Sequence, residues 1–271
     1  MTAGTRQGTW LRPAEVDLLC TFAEVSLPFP LTVDSHGATV DERRDIFGTA
    51  RTGLAARGLA DHRGPQGLAA AFVSLLRDGV GSLDMIVARR GGVRRVLVLT
   101  RREQALVARQ DSGDASVQLL ALSTHDAVAH LMRMVPDQPP AMAAPFSLPR
   151  RAVDQAHREI IAATGPDSAP RRLSSDEVDR ILRRHGLDDA TVRRMATHLQ
   201  PVLGNGQAGI AVKRGYADSW TRAGEELRWL DTARGRFRIV GDGQADWMSV
   251  NPLPRDDLRA ELRTLAQKLW H

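Results

Sequence analysis

MIVARRGGVRRVLVLTRREQALVARQDSGDASVQLLALSTHDAVAHLMRMV, from Met85 to Val135, decides the fold, because the chain repeats its outline further on. The second copy runs from Gly209 to Leu269, GIAVKRGYADSWTRAGEELRWLDTARGRFRIVGDGQADWMSVNPLPRDDLRAELRTLAQKL. Each copy is an apolar strand ending in basic residues, a turn, and a second strand closing on Leu-Thr or Asp-Thr. A basic turn, a third strand, a Gly-Asp loop, a fourth strand and an amphipathic helix complete it. Self-similarity at a long period marks a duplicated structural unit. Two such copies predict a pseudo-two-fold domain with one large meandering sheet. A broad docking surface suits that architecture better than a buried pocket does.

Within the first copy, strands are expected at Leu83–Arg89, Val93–Thr100, Glu103–Arg109 and Ser116–Leu122. Arg90-Gly91-Gly92 is a tight hairpin signal, since glycine accepts positive φ, and Thr124 is the expected cap of a helix to Met134. Upstream, Pro13 opens a helix to Val25. Pro28-Phe29-Pro30 precedes Leu31–Val33, read as an edge strand because prolines cannot donate to a ladder. Helices follow at Val40–Arg57, with Gly58 as C-cap, and at Leu68–Arg77. Downstream, the prolines of Pro136–Pro149 mark a linker. It divides an N-terminal half, 1–149, from a C-terminal half, 150–271, within one continuous domain. Arg151–Ala163 is helical, and Ser174-Ser175-Asp176-Glu177 offers a capping box for the next helix, which stops at Gly186. Asp188 or Asp189 caps a third helix carrying Val192, Met195 and Leu199. The second sheet copy fills Gln207–Val250, and Pro254–Trp270 closes the fold.

At 271 residues and 42% hydrophobic composition the chain can bury a substantial core. No stretch approaches the roughly 18 apolar residues of a membrane helix. The first residues lack the basic-then-apolar order of a signal peptide, and the lone Cys20 fits a reducing compartment. A buried structural thiol among Leu18, Leu19 and Phe22 is the expectation for it. The net charge of +5 invites a nucleic-acid reading. However, Lys213 and Lys268 are the only lysines, and an arginine skew with abundant Ala, Gly and Val points to a GC-rich coding sequence. Aromatics at 4% are also too sparse to serve as stacking platforms.

A search for chemistry finds no phosphate loop, dinucleotide fingerprint, His-Glu-x-x-His or nucleophile elbow. His125 and His130 are five apart and point to different helix faces, so they do not make a metal pair. Asp34-Ser35-His36 reads as a turn, because a catalytic triad is assembled in space from distant positions. Asp41-Glu42, Asp188-Asp189 and Asp256-Asp257 lie in first helical turns, where carboxylates offset the helix dipole. No catalytic residue, cofactor or metal is therefore expected. A helix-turn-helix outline at Leu173–Gln200, with Arg193 and Arg194, keeps a DNA-binding regulator open as an alternative. Against it, the second helix lacks base-reading side chains at its start. A hydrolase or transferase site assembled from scattered His and Asp residues is a third reading.

Taken in order, these segments resemble the EspG family, cytosolic chaperones of type VII secretion in actinobacteria. The resemblance rests on PFPLTV (Pro28–Val33), LAARGLAD (Leu54–Asp61), GLAAAFVSLLRDGVGSLDMIVAR (Gly67–Arg89) and WLDTARGRFRIV (Trp229–Val240), then Trp247 and the helix after Pro252 and Pro254. It implies a quasi-two-fold α+β fold, with a central, mostly antiparallel sheet flanked by helical bundles. It also implies a non-catalytic cytoplasmic role: binding PE–PPE-like helical-hairpin secretion substrates and keeping them soluble for export. Nucleic acid and membrane insertion are not expected, and a homodimer hiding apolar surface until substrate arrives stays open. The family's loop between second and third strands falls on Arg89, Arg90, Gly91, Gly92 and Val93, with Arg94 and Arg95 at its rim. The helical bundle would present Leu187, Val192, Met195 and Leu199. Here the loop is very short, which shifts recognition to another element or to a different helical-hairpin substrate.

Overall fold

The computed structural model describes residues 8–101, 104–164, 173–213, 220–241 and 246–270. The first elements are β1 (Thr9–Leu11), α1 (Pro13–Ala23), α2 (Val40–Ala56), the short β2 (Ala60–Asp61) and β3 (Gly64–Pro65), and α3 (Gly67–Asp78). The first sheet copy follows as β4 (Gly81–Arg89), β5 (Gly92–Arg101), β6 (Gln104–Asp111), β7 (Val117–Ser123) and α4 (Thr124–Met134). After β8 (Phe146–Pro149) come α5 (Arg150–Thr164), α6 (Ser175–Arg184) and α7 (Asp189–Leu199). The second copy is β9 (Val202–Lys213), β10 (Trp220–Thr232), β11 (Gly235–Val240), β12 (Trp247–Pro252) and α8 (Arg255–Trp270). Both copies thus supply four strands and a helix in the same order, as the repeat predicts.

Ten strands form one sheet in the order β1-β7-β6-β5-β4-β9-β10-β11-β12-β8, while β2 and β3 pair separately. The fold is α+β, with antiparallel pairing along both copies. The chain packs as two units: residues 1–136, 206–226 and 259–271 in one, and residues 137–205 and 227–258 in the other. Among the described residues no helix is long and apolar enough to cross a membrane.

In the first unit, register dictates which side chains share a face. Leu83 lies opposite Val98, Val87 opposite Arg94, and Val98 and Arg94 opposite Val107 and Asp111. Strand alternation therefore sets Leu83, Met85, Val87, Val96, Val98 and Val107 on one face. There Leu83 and Val98 line the same small space as Val128 and Leu131 of α4 and Ala266 of α8. The other face carries Leu97, Leu99, Leu106, Ala108, Val117 and Leu119. These form one apolar cluster with Val16 and Leu19 of α1, Leu54 of α2, and Phe72 and Leu76 of α3. Helices on both faces explain why Val96–Leu99 is an unbroken apolar run rather than an alternating one.

The helix caps follow local chemistry. Thr39 and Ser174 make reciprocal capping boxes with Glu42 and Glu177, and Asp188 accepts from the Thr191 amide. The cap of α4 is Ser123, not Thr124: its hydroxyl accepts from the Asp126 amide at 3.1 Å.

Two expectations are corrected. Leu31–Val33 is not an edge strand; the sheet ends instead on β1, whose Thr9–Leu11 pairs with Leu119–Val117 of β7. The Leu31 amide turns back to the Pro28 carbonyl at 3.2 Å, and at Thr32 a side chain takes the place of a ladder. The Thr32 amide donates to Gln110 Oε1 at 3.0 Å, and Gln110 Nε2 returns a bond to the Thr32 carbonyl at 2.7 Å. The proline-rich stretch is likewise not only a linker. Its end, Phe146–Pro149, is β8, with Pro149 opposite Trp247 on the outermost strand, where a missing donor costs little. Its start is stitched to β11: the Arg236 amide donates to the Pro139 carbonyl at 2.7 Å, and the Ala141 amide to the Arg236 carbonyl at 3.1 Å.

The second unit has two apolar clusters. Ala141, Leu148, Leu199, Phe237 and Val250 form one, and Ala156, Ile181, Leu182, Leu187 and Val192 the other. Val153 and Met195 pack against both.

Candidate partner-binding site

The β4–β5 hairpin is the exposed feature that the sequence singles out. Arg89 pairs with Gly92, so Arg90 and Gly91 alone make the turn. The positive φ falls on Gly92, at 139°. A Cβ there would sit 2.2 Å from Ser112 Oγ, so glycine is required twice over. Ser112 also clamps the hairpin from the neighbouring β6–β7 loop: its amide donates to the Val93 carbonyl at 2.8 Å, and its hydroxyl accepts from the Val93 amide at 2.9 Å. A very short loop is thereby fixed in place by its neighbour.

Beneath the tip lies a notch of about 380 Å³ lined by Val87, Arg89, Gly91, Gly92, Val93, Arg94, Asp111, Ser112 and Met134. Val87 and Met134 are buried and make an apolar floor. Arg94 Nε donates to Asp111 Oδ1 at 2.7 Å, and Arg109 Nη2 lies 3.1 Å from Asp111 Oδ2. The strand pleat separates Arg94 from Arg95. Arg95 lies opposite Ile86 and Gln110, on the face away from the notch. Five of the seven hairpin residues named from sequence thus line the notch, while Arg90 stays in the exposed turn and Arg95 on the other face. Val87, Asp111, Ser112 and Met134 were missed. The Asp111-Ser112-Gly113-Asp114 loop was visible as a turn, but only the strand register places it beside the hairpin.

The helical residues named from sequence lie elsewhere, in the second unit. Leu187 and Val192 are each 2% exposed and Leu199 8%, so these three form the interior of the α5–α7 layer, not a contact surface. Met195 is half-buried between the two clusters. Helical spacing identifies an apolar stripe without saying whether a partner or the protein's own core covers it. The exposed apolar side chains of this unit are instead Met142, Ile161, Val202, Leu203 and Trp247. The arginines of the helix-turn-helix outline are partly engaged: Arg183 with Asp189, Arg184 with Glu159, and Arg194 over the Phe146 ring at 5.8 Å.

The residues of the tempting Asp34-Ser35-His36 fragment anchor a loop. Arg43 Nη1 donates to Ser35 Oγ and to the His36 carbonyl, both at 2.8 Å, and its Nη2 reaches Asp17 Oδ1 at 2.9 Å. Burial alone would raise the Asp17 pKa, but bonds from Arg43 and the His36 amide together bring it below the usual carboxylate value. Burial, with the Asp17 charge adding, pushes the Cys20 thiol up to about 12, which leaves it un-ionised and a poor nucleophile at neutral pH. Burial lowers the His130 pKa, with Arg133 and Arg109 reinforcing it. On the helix-covered face opposite the notch, burial raises the pKa of Asp84 to about 6 against the opposing pull of Arg222. Arg222 Nη2 reaches Asp84 Oδ1 at 3.1 Å, and its Nη1 bonds Oδ2. A hollow of about 750 Å³ lies between α3 and β6–β7, lined chiefly by apolar residues such as Leu68, Leu75, Leu106 and Leu122.

The structure is thus a sheet clad by helices, with a clamped surface hairpin over a notch that has an apolar floor and a polar, arginine-bearing rim. The EspG family profile matches residues 12–264, and the chain belongs to that family. Among solved structures the fold is similar to the Mycobacterium tuberculosis type VII secretion system chaperone EspG5, solved in complex with a PE25–PPE41 dimer. The TM-score is 0.64 at 12% identity, covering 96% of this chain and 95% of that one. No curated protein sequence matches the chain.

Proposed function

We propose that this protein is a non-catalytic cytosolic chaperone of type VII secretion. It binds a PE–PPE-like helical-hairpin substrate and holds it soluble until export. The observation that carries this reading is family membership over residues 12–264, together with a fold match along almost the whole chain to a chaperone solved with its PE25–PPE41 dimer. A chaperone of this kind must cover an apolar tip that would otherwise drive aggregation, and doing so needs surface rather than chemistry.

The proposed contacts are Arg89, Arg90, Gly91, Gly92, Val93 and Arg94 around the notch of the first unit. In the second unit they are the exposed Met142, Val202, Leu203 and Trp247, in place of the buried Leu187, Val192 and Leu199. Nucleic acid is not the proposed partner.

The test is co-purification of the tagged protein with the PE–PPE-like pairs of its own organism, washed at low and high salt. A pair retained through high salt supports the reading, because apolar burial is little screened. Recovery of nucleic acid alone, lost as salt rises, overturns it.

A further inference from the structure

We propose that the notch under the β4–β5 hairpin takes an acidic–apolar tip: one apolar side chain of the substrate flanked by at least one carboxylate. This rests on the chaperone reading above and adds the chemistry of the bound segment.

Three observations converge. The floor is apolar, made by Val87 and Met134, so it accepts an apolar side chain. The rim is basic, with Arg89 and Arg94 lining the notch and Arg90 at the exposed turn. The acid that lines the notch is already engaged: Asp111 is shared by Arg94 and Arg109. Among the described residues Arg89 and Arg90 have no ion-pair partner, so the rim carries uncompensated positive charge over an apolar floor. Arginine presents a planar fork matched to a carboxylate. Arg89 is also held at its backbone, opposite Gly92, by a hairpin clamped through Ser112. A neutral apolar tip would fill the floor and leave both guanidinium groups unmatched. A basic tip would be repelled by them. Only an acidic–apolar tip satisfies both halves of the site.

The experiment uses the PE–PPE-like pair retained in the co-purification and measures affinity by calorimetry for the full chain, two of its variants and one variant of the substrate. Arg89→Glu with Arg90→Glu should weaken binding roughly tenfold or more, since the reversed charges would repel the tip carboxylates. Arg51→Glu with Arg63→Glu, the same double reversal at two exposed arginines away from the hairpin, controls for net charge and should change nothing. Replacing the substrate's tip carboxylates by amides should weaken binding to the wild type but not to the doubly reversed variant. Thermal midpoints of all chaperone variants should agree, since these arginines are exposed. The inference is overturned if the tip of the bound substrate carries no carboxylate. Equal binding of wild type and the doubly reversed variant also overturns it, while leaving the chaperone reading standing. If no helical-hairpin pair binds at all, the chaperone reading fails first and the inference falls with it.

Discussion

Asp231 and Arg236 face each other across the β10–β11 hairpin and close two parallel hydrogen bonds, Nε to Oδ1 at 2.6 Å and Nη2 to Oδ2 at 2.9 Å. The side chains are 7% and 0% exposed, so a bidentate ion pair lies inside the second unit. The backbone of Arg236 also bonds Pro139, Ala141 and Leu253. The Asp-Thr-x-x-Gly-Arg motif is therefore a structural lock that ties the proline-rich stretch and the start of α8 to the sheet.

Removing one partner of such a pair strands a buried charge. Asp231→Ala should lower unfolding free energy by about 3–5 kcal/mol, whereas replacing both residues by apolar ones of similar volume should recover much of the loss. Urea denaturation of the single and double variants checks this. A single variant as stable as wild type would contradict it.

The Asp84–Arg222 pair carries a pH signature. The folded pKa of Asp84, about 6, lies above its ordinary 3.8, so the folded state holds the proton more tightly than the unfolded state. Its contribution to stability is full below the ordinary value and is lost as pH rises through about 6. The thermal midpoint of wild type relative to Asp84→Asn should therefore rise as pH is lowered from 7 toward 4. A pH-independent difference would refute this.

Gly92→Ala should cost about 1–3 kcal/mol, because the residue is held at positive φ and would meet Ser112. Ser112→Gly in the same chain removes the clash but also the hydroxyl that accepts from the Val93 amide, and the backbone strain remains, so it should restore only part of the loss. Chemical denaturation of the single and double variants measures both contributions.

Leu187→Ala separates core from contact surface. It should destabilise the fold by about 2–5 kcal/mol, as buried leucines do, and leave the affinity of the folded protein for its substrate unchanged. Loss of affinity at unchanged stability would return Leu187 to the binding surface.

Periodicity and turn chemistry made most of the fold legible. The four strands of each copy, the capping box at Ser174 and the closing helix after Pro254 are all local signals, and the structure keeps them. What sequence could not carry was non-local. Gln110 substitutes for a ladder at Thr32, and β8 joins β12 despite its prolines, because partners 78 residues apart in one case and a strand register in the other decide the outcome. The site divides the same way. The hairpin was readable from Arg90-Gly91-Gly92, but the pleat that turns Arg95 away from Arg94, and the burial of Leu187, Val192 and Leu199, follow only from packing.

Amide hydrogen exchange of the protein with and without a PE–PPE-like pair tests the central claim most directly. The account predicts a stable complex in which residues 89–94 gain protection, since a docked tip would cover the hairpin. A complex that leaves these residues exchanging at their free rate, or no complex with any such pair, would contradict it.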